Sequence, residues 1–219
     1  MGGCHFFISG VAQILNSAQL FDELHKKYLM FIYLFIIMVH DSVRERQGAV
    51  QRTGDKWEDE VIEIISPELN EHNIKIVKGK KKEIKQFFWN QLYIPTKRKG
   101  VWGDIDLIVF NKNHKVIAVI SCKVSLHGRF TESLFYWLLY KLIKRPFKFV
   151  FATNDKGRGQ GKWNSEWGSQ ENPTKDRELA EAYTDGVYIK NPNTQLGGIL
   201  KPISQLADDI IEWNKELSL

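Results

Sequence analysis

The feature that most constrains the fold is a pair of apolar, β-branched runs that lie close together in the chain. Residues 104–110 (DIDLIVF) and 116–123 (VIAVISCK) are joined by residues 111–115 (NKNHK), a turn-forming connection of the length that β-hairpins use. Because most positions in both runs are apolar, we expect a hairpin with both faces largely covered. Other elements of the chain therefore have to cover it.

The patterns on both sides of this hairpin predict an α/β (α+β) domain. Apolar residues at helical spacing predict a helix from residue 57 to residue 65, ended by Pro67 and followed by a strand at 74–77. A long helix at 129–144 would let a strand at 147–152 pair in parallel with the hairpin. The order helix, three strands, helix, strand (αβββαβ) gives a central mixed β-sheet flanked by helices. Further helices are expected at 83–92, 175–183 and 203–217, and a further strand at 186–189.

The N-terminal part of the chain is the least regular. Its apolar run, Tyr28 to Val39, is shorter than the roughly 20 residues that a membrane-spanning helix needs, and no cleavage site of small residues follows it. We therefore expect no membrane span, a helical and apolar extension over residues 1–53, and one domain over 54–219. Part of the extension is a start-site artefact if translation begins at Met30 or Met38 rather than at Met1.

Charge and cysteine content narrow the class of protein. The chain has 31 Lys and Arg residues against 26 Asp and Glu residues, and the excess is concentrated at 78–99 and 144–162. Such clusters suit a polyanion such as nucleic acid, and they also suit an ordinary solvated surface. Cys4 and Cys122 lie far apart without a metal-binding spacing, so a cytoplasmic location is expected rather than a disulfide or zinc framework.

Charged side chains at one end of the hairpin form the candidate site. Asp104 and Asp106 alternate along the first run and share a side, and Ser121 and Lys123 share a side of the second. Neighbouring carboxylates repel each other unless a cation neutralises them, and Mg²⁺ prefers oxygen ligands while keeping waters for a substrate phosphate. Carboxylates, Mg²⁺ and a lysine together predict phosphodiester hydrolysis.

The segment from Gly103 to Ile108, followed by a strand that ends in Lys123, resembles the PD-(D/E)xK nuclease superfamily and its type II restriction endonuclease members. The resemblance implies a restriction-endonuclease-like core and a nuclease domain over 54–219. It implies that Asp106 is the metal ligand, with Asp104 as the second choice, and that Lys123 assists the attacking water. The segment from Gly54 to Val61 is similar to the first helix of such nucleases, and this points to Glu58 as an additional catalytic residue.

One residue departs from the family pattern. Ser121 stands where the family usually has an acidic residue, and a hydroxyl cannot supply the missing charge. Some type II restriction enzymes look similar, with the acid relocated to the following helix, and this resemblance makes Glu132 the candidate catalytic residue and metal ligand there. Arg129 lies six residues after Lys123, as it does in restriction enzymes that carry an arginine at this spacing.

Cations and amides outside the site suggest how DNA would be bound. Lysines of the 78–99 stretch would mostly meet phosphates, whereas the loop at 154–168, with its cations, amides and two tryptophans, could reach base edges. A mobile surface loop is the alternative interpretation. The candidate DNA-binding residues are Arg129, Lys97, Arg98, Lys99, Arg158 and Lys162.

Together these observations predict a Mg²⁺-dependent type II restriction endonuclease that cuts double-stranded DNA at a specific sequence. One site per chain suggests a homodimer, because the two strands of a duplex are related by a pseudo-two-fold axis. A cognate DNA methyltransferase is expected in the same system. The alternatives are a repair or junction-resolving nuclease with the same core, and a DNA-binding module on a nuclease fold that has lost its activity.

Overall fold

The structure, a computed structural model, describes Met30 and residues 48–126, 130–159 and 163–217. The chain divides into two units, Met1–Gln51 and Arg52–Leu219, and almost all described residues belong to the second. The extension expected over residues 1–53 falls largely outside the described residues. That extension, its boundary with the 54–219 domain and the choice of start codon therefore stay predictions.

The described elements form a six-stranded mixed sheet with helices on both faces, and a separate two-stranded sheet. The helices are α1 (helical over residues 48–71 of the described part), α2 (Lys82–Leu92), α3 (Phe130–Leu142), α4 (Lys175–Tyr183) and α5 (Leu206–Glu216). The strands are β1 (Lys75–Lys78), β2 (Tyr93–Ile94), β3 (Val101–Trp102), β4 (Leu107–Phe110), β5 (Val116–Lys123), β6 (Lys148–Thr153), β7 (Gly186–Ile189) and β8 (Leu200–Pro202). The sheet has six strands in the order β1-β4-β5-β6-β7-β8, and β2 pairs only with β3.

The α/β (α+β) fold class and the predicted order of elements are confirmed. Strands β4 and β5 form the antiparallel hairpin, and β1 pairs antiparallel with β4 on its other side. Across α3, β6 pairs in parallel with β5, and β7 in parallel with β6. Lys123 at the end of β5 is in register with Thr153, which is in register with Ile189, so the carboxyl ends of three strands meet at one edge.

Each face of the sheet has its own hydrophobic layer, and this explains why the hairpin strands are apolar throughout. Leu107 and Val109 of β4 pack in the cluster that contains α1 and α5 residues. Ile108 and Phe110 pack in the cluster on the opposite face, with residues of α2, α3 and α4. Because side chains alternate along a strand, a strand buried on both sides reads as a continuous apolar run.

Two boundaries differ from the sequence prediction. Helix α1 continues through Pro67 to residue 71, because Leu69 is fully buried and gives the last turn a packing reason to persist. Proline removes the helical hydrogen bond to Glu63, but both residues are exposed, so water can satisfy that carbonyl. Strand β4 begins at Leu107, so Asp104 and Asp106 precede the strand instead of alternating within it.

The basic segment of residues 95–100 forms the loop of the short β2–β3 hairpin. This loop leads through β3 into Gly103 and Asp104, at the start of the candidate site. Within the described ranges, no helix has the length and apolar character needed to cross a membrane.

Candidate active site

Asp104 and Asp106 lie on a short irregular segment that other parts of the chain hold in place. The Asp106 backbone N–H donates to the Ile120 carbonyl (3.2 Å), and the Asp106 carbonyl accepts from the Gly79 N–H (2.8 Å). A Cβ atom at Gly103 would lie 2.8 Å from the Tyr140 hydroxyl, so only glycine fits there without a shift. The segment is therefore fixed to β5, to the β1–α2 turn and to α3.

The Asp106 carboxylate is the centre of the site. The residue is 4% exposed, and its Oδ2 accepts from the backbone N–H of Cys122 at 2.8 Å and from Lys123 Nζ at 3.3 Å. Its Oδ1 lies 3.3 Å from the ammonium of Lys80. A buried carboxylate that faces two ammonium groups and a backbone donor is compensated on both oxygens.

The second carboxylate, Asp104, is held by Lys123 and by two hydroxyls. Its Oδ2 accepts from Lys123 Nζ (2.8 Å), from the Ser133 hydroxyl (2.5 Å) and, at 3.5 Å, from the Ser121 hydroxyl. Burial alone would raise the pKa of Asp104, but the Lys123 ammonium and the Lys123 and Ser133 hydrogen bonds outweigh burial and lower it. The Ser121 hydroxyl also lies 3.1 Å from the Ser133 hydroxyl, so the two serines and Asp104 contact one another.

The Lys123 side chain is only 12% exposed and bridges both aspartates. Burial lowers the pKa of its ammonium, but the charges of Asp106 and Asp104 raise it more, so the net pKa lies above its ordinary value. The two carboxylates therefore favour the charged form of Lys123 at this edge.

Glu58 joins the cluster from α1. Trp57 donates its indole N–H to the Ala152 carbonyl of β6 (3.0 Å), which fixes this turn of α1 against the sheet. The Glu58 side chain is 2% exposed, accepts a hydrogen bond from Lys80, and leaves Oε2 without a hydrogen-bond partner. Burial raises the pKa of Glu58, and the charge of Asp106 adds to this, although the Lys80 hydrogen bond acts in the opposite direction.

Lys80 is the site residue that the sequence analysis missed, because it stood out only as one of many cations in a basic stretch. Its pKa is raised: burial opposes the charge, but Glu58 and Asp106 more than compensate. The signal that could have found it is the pairing of β1 with β4. This pairing sets Lys78 opposite Leu107 and so brings the following turn to Asp106.

The carboxylates fit a hard divalent cation that keeps part of its water shell. Within the described ranges no group of three or more His, Cys, Asp or Glu side chains is arranged to hold a metal ion. Mg²⁺ does not need such a cage, because it is commonly bound by one or two carboxylates together with waters and substrate phosphates. Asp106 and Glu58 supply two buried carboxylates, and the Glu58 Oε2 atom has unused hydrogen-bonding capacity.

Glu132, the predicted relocated acid, makes no hydrogen bond or ion pair with Asp104, Asp106 or Glu58 within the described ranges. It lies in the first turn of α3 with an exposed side chain, and no hydrogen bond or ion pair joins it to another residue within the described ranges. Its neighbour Ser133 is the residue that reaches Asp104. Because consecutive helical residues point about 100° apart, Ser133 and Glu132 leave α3 in different directions. The assignment of Glu132 as the relocated acid stays a prediction.

The predicted DNA-binding residues divide into two groups. Lys97, Arg98 and Lys99 are exposed in the β2–β3 loop, and Arg158 is exposed while its guanidinium donates to the Glu166 carbonyl at 2.7 Å. The other two, Arg129 and Lys162, lie outside the described residues. Their roles, like those of the first group, stay predictions.

The loop after β6 is anchored beside the site. Asp155 is fully buried and accepts from the hydroxyls of Ser165 and Thr194, both at 2.6 Å, and from the Glu166 N–H at 2.9 Å. The Glu166 carboxylate accepts from the Ser125 hydroxyl (2.9 Å), just beyond Lys123. A cavity of about 420 Å³, lined by polar loop residues and by Trp163, opens in this loop. These hydrogen bonds hold the described parts of the loop after β6 in place.

Comparison with known proteins agrees with the fold. Residues 73–210, more than half of the chain, match the family described as BsaWI restriction endonuclease type 2. The crystal structure of a specific complex of restriction endonuclease AgeI with DNA superposes with a TM-score of 0.63 and 17% identity, covering 77% of this chain and 69% of that chain.

A second crystal structure, a pre-specific complex of restriction endonuclease BsaWI with DNA, superposes with a TM-score of 0.51 and 14% identity. It covers 82% of this chain and 68% of that chain. No curated protein matches the chain. The restriction-endonuclease-like fold expected from the sequence is thereby confirmed.

Proposed function

Because the chain belongs to the BsaWI family of type 2 restriction endonucleases, we propose that it is a Mg²⁺-dependent type II enzyme that hydrolyses phosphodiester bonds of double-stranded DNA at a specific sequence. The observation that carries the proposal is the cluster of Asp104, Asp106, Glu58 and Lys123 at the carboxyl edge of the sheet. Two carboxylates bridged by a nearly buried lysine, with the buried Glu58 carboxylate joined to Asp106 through Lys80, have no need to exist in a purely structural core, since burying charge is costly.

Asp106 and Glu58 would hold the cation, with Asp104 beside them. When bound, Mg²⁺ supplies Lewis acidity that stabilises charge on the phosphate and favours deprotonation of the attacking water. The residues of the chain have the task of placing substrate and water next to that position. Asp106 is suited to this because the Cys122 N–H, at 2.8 Å, fixes the orientation of its carboxylate.

Lys123 would orient the attacking water or stabilise the negative charge that develops on the phosphate. Its bridge to Asp104 and Asp106 keeps the ammonium in one place, and the Ser121 and Ser133 hydroxyls keep Asp104 in place in turn. Asp104 would thereby act as a positioning residue for Lys123. This role agrees with the choice of Asp106, rather than Asp104, as the first metal ligand.

The DNA would lie across the carboxyl edge of the sheet. The exposed cations Lys97, Arg98 and Lys99, and Arg158 on the loop after β6, would contact it. The two similar structures are both DNA complexes. We further propose a homodimer, so that two sites act on the two strands, and a methyltransferase of the same specificity that protects host DNA.

The test is cleavage of plasmid DNA by the purified full chain with Mg²⁺. Wild type should give discrete fragments, and Asp106→Ala and Lys123→Ala should give none while still binding DNA. Equal cutting by those variants would falsify the site. Nicks confined to branched DNA would instead identify a junction-resolving nuclease, and salt-dependent binding without any turnover would identify a DNA-binding module.

A further inference from the structure

The ammonium of Lys80 lies between the two carboxylates that are the best candidates for binding a cation. Its Nζ donates a hydrogen bond to Glu58 Oε1 and lies 3.3 Å from Asp106 Oδ1, with Asp55 Oδ1 at 4.0 Å. The backbone keeps the residue at this place, because the N–H of the preceding Gly79 donates to the Asp106 carbonyl. Lys80 is therefore held next to Asp106 by its own turn.

The two lysines of the cluster differ in how firmly they are fixed. The Lys123 side chain is 12% exposed and faces Asp106 Oδ2, whereas the Lys80 side chain is 55% exposed and faces Oδ1. A lysine has a flexible four-carbon stem, so an exposed one can swing into solvent without opening a packed core. Lys80 can leave the cluster, and Lys123 cannot do so without exposing buried surface.

A cation bound by Glu58 and Asp106 would need the oxygen atoms that Lys80 now contacts. An ammonium group and a metal ion cannot both lie between the same two carboxylates. The charges agree with an exchange. Glu58, Asp104 and Asp106 against Lys80 and Lys123 leave one negative charge, and the nearby Lys78, 3.9 Å from Glu58 Oε2, is paired with Asp59 at 2.8 Å. Replacing the Lys80 ammonium by a divalent ion brings the formal charge of the cluster to zero.

We propose that Lys80 is a built-in competitor of the metal ion, which holds the cation position between Glu58 and Asp106 in the metal-free protein and leaves it when Mg²⁺ binds. This inference rests on the proposed function, since the metal site is the one proposed there. Lys80 keeps the two buried carboxylates neutralised while the enzyme has no metal. Among the described residues, no other cationic side chain contacts both Glu58 and Asp106.

The competition also links metal binding to DNA binding. Once displaced, the Lys80 ammonium needs a new counter-charge, and a DNA phosphate at the same edge supplies one. DNA therefore makes it easier for Lys80 to leave, so Mg²⁺ binds more tightly to the DNA complex than to the free protein. By reciprocity Mg²⁺ strengthens DNA binding by the same factor.

The test is calorimetric titration of the full chain with Mg²⁺ in the absence of DNA. Lys80→Gln removes the competitor and should bind Mg²⁺ about tenfold more tightly than wild type, a typical size for such coupling. Lys80→Arg keeps the charge and should stay close to wild type. The matched control is Lys78→Gln, which removes the same charge two residues away, from a lysine that pairs with Asp59 at 2.8 Å and lies 3.9 Å from Glu58 Oε2 but does not contact Asp106. It should change the affinity by less than about threefold.

A second measurement uses the unaltered protein. Acetylation by an amine-reactive ester, followed by mass spectrometry, should be faster at Lys80 when Mg²⁺ saturates the site and unchanged at Lys123. Equal labelling of Lys80 with and without Mg²⁺, or equal affinities for wild type, Lys80→Gln and Lys78→Gln, would overturn the inference. If wild type also cuts DNA with Mg²⁺, the proposed function survives that result. If neither wild type nor Lys80→Gln binds Mg²⁺ in the absence of DNA, the inference fails, and the proposed function fails with it only if wild type also leaves plasmid DNA uncut.

Discussion

Glu58 is a carboxylate whose surroundings work against its charge. Its side chain is almost completely buried on α1, one residue after a tryptophan that is hydrogen-bonded to β6. Burial and the nearby charge of Asp106 raise its pKa, so the folded protein binds a proton at Glu58 more readily than the unfolded chain does. A residue that weakens the fold when ionised is a typical feature of an active site.

The consequence is a pH-dependent stability difference for Glu58→Gln. The stability that Glu58 contributes is fully present below its unfolded pKa, near 4.5, and is lost as the pH rises through its raised folded pKa. A glutamine side chain does not ionise, so the Glu58→Gln variant does not lose this stability as the pH rises. The free energy of unfolding of the variant, minus that of wild type, should therefore grow between pH 4.5 and neutrality in urea denaturation.

The control for this prediction is Glu63→Gln, the same change at an exposed position of α1. Its stability difference from wild type should stay constant over that range. A Glu58→Gln difference that is flat, or that shrinks as the pH rises, would mean that the carboxylate is stabilised by its partners rather than strained by burial.

Among the elements, the turn between β1 and α2 does more than connect them. Gly79 lies so close to the Asp104–Asp106 segment that an added Cβ would meet the backbone oxygen of Ile105 at 2.8 Å. The same turn carries Lys80 to Asp106. A backbone oxygen cannot rotate away as a side chain can, so glycine at this position is what lets the turn approach the site.

We predict opposite effects for two Gly→Ala changes. Gly79→Ala should lower the free energy of unfolding by about 1–3 kcal/mol, because the turn has to move to relieve the overlap. Gly54→Ala, in α1 with no atom within 4 Å of the new Cβ, should raise it by about 0.5–1 kcal/mol through helix propensity. Chemical unfolding of both variants measures this, and a Gly79→Ala protein as stable as wild type would contradict the close approach.

Some of these elements could be predicted from the sequence, and others could not. The buried hairpin and the parallel pairing across α3 follow from periodicity and chain order, because strands covered on both faces have a distinctive apolar pattern. The place of Lys80 depends on the pairing of β1 with β4, which periodicity does not specify. The direction of Glu132 depends on which face of α3 packs inward, and this helix is too apolar around its circumference for the sequence to decide.

In the molecule as a whole, positive charge and the acidic cluster share one region. The β2–β3 loop with Lys97, Arg98 and Lys99 leads directly into the segment with Asp104, so cations precede the carboxylates along the chain. The turn at the other end of the hairpin, residues 111–115, lies at the opposite edge of the sheet. DNA that reaches the carboxylates should therefore contact the loop and not this turn.

The salt dependence of DNA binding shows whether DNA contacts the β2–β3 loop or the turn at residues 111–115. If Lys97 contacts a phosphate, Lys97→Gln should weaken binding and reduce the slope of log affinity against log salt by about 0.9. The matched variant Lys112→Gln removes an exposed charge from the 111–115 turn and should leave the slope unchanged. Fluorescence anisotropy over a range of salt concentrations measures both, and equal slopes for the two variants would place the DNA elsewhere.

The identity of the carboxylates that support catalysis rests on comparing Glu58 with Glu132. Glu58 is buried beside Asp106, whereas Glu132 is exposed on α3 with no hydrogen bond or ion pair to another described residue. The decisive measurement is single-turnover cleavage of the recognised DNA with saturating Mg²⁺ by Glu58→Gln and Glu132→Gln. We predict that Glu58→Gln slows cleavage by at least about 100-fold and that Glu132→Gln cuts within about threefold of wild type. Normal cutting by Glu58→Gln together with an inactive Glu132→Gln would contradict the site as described.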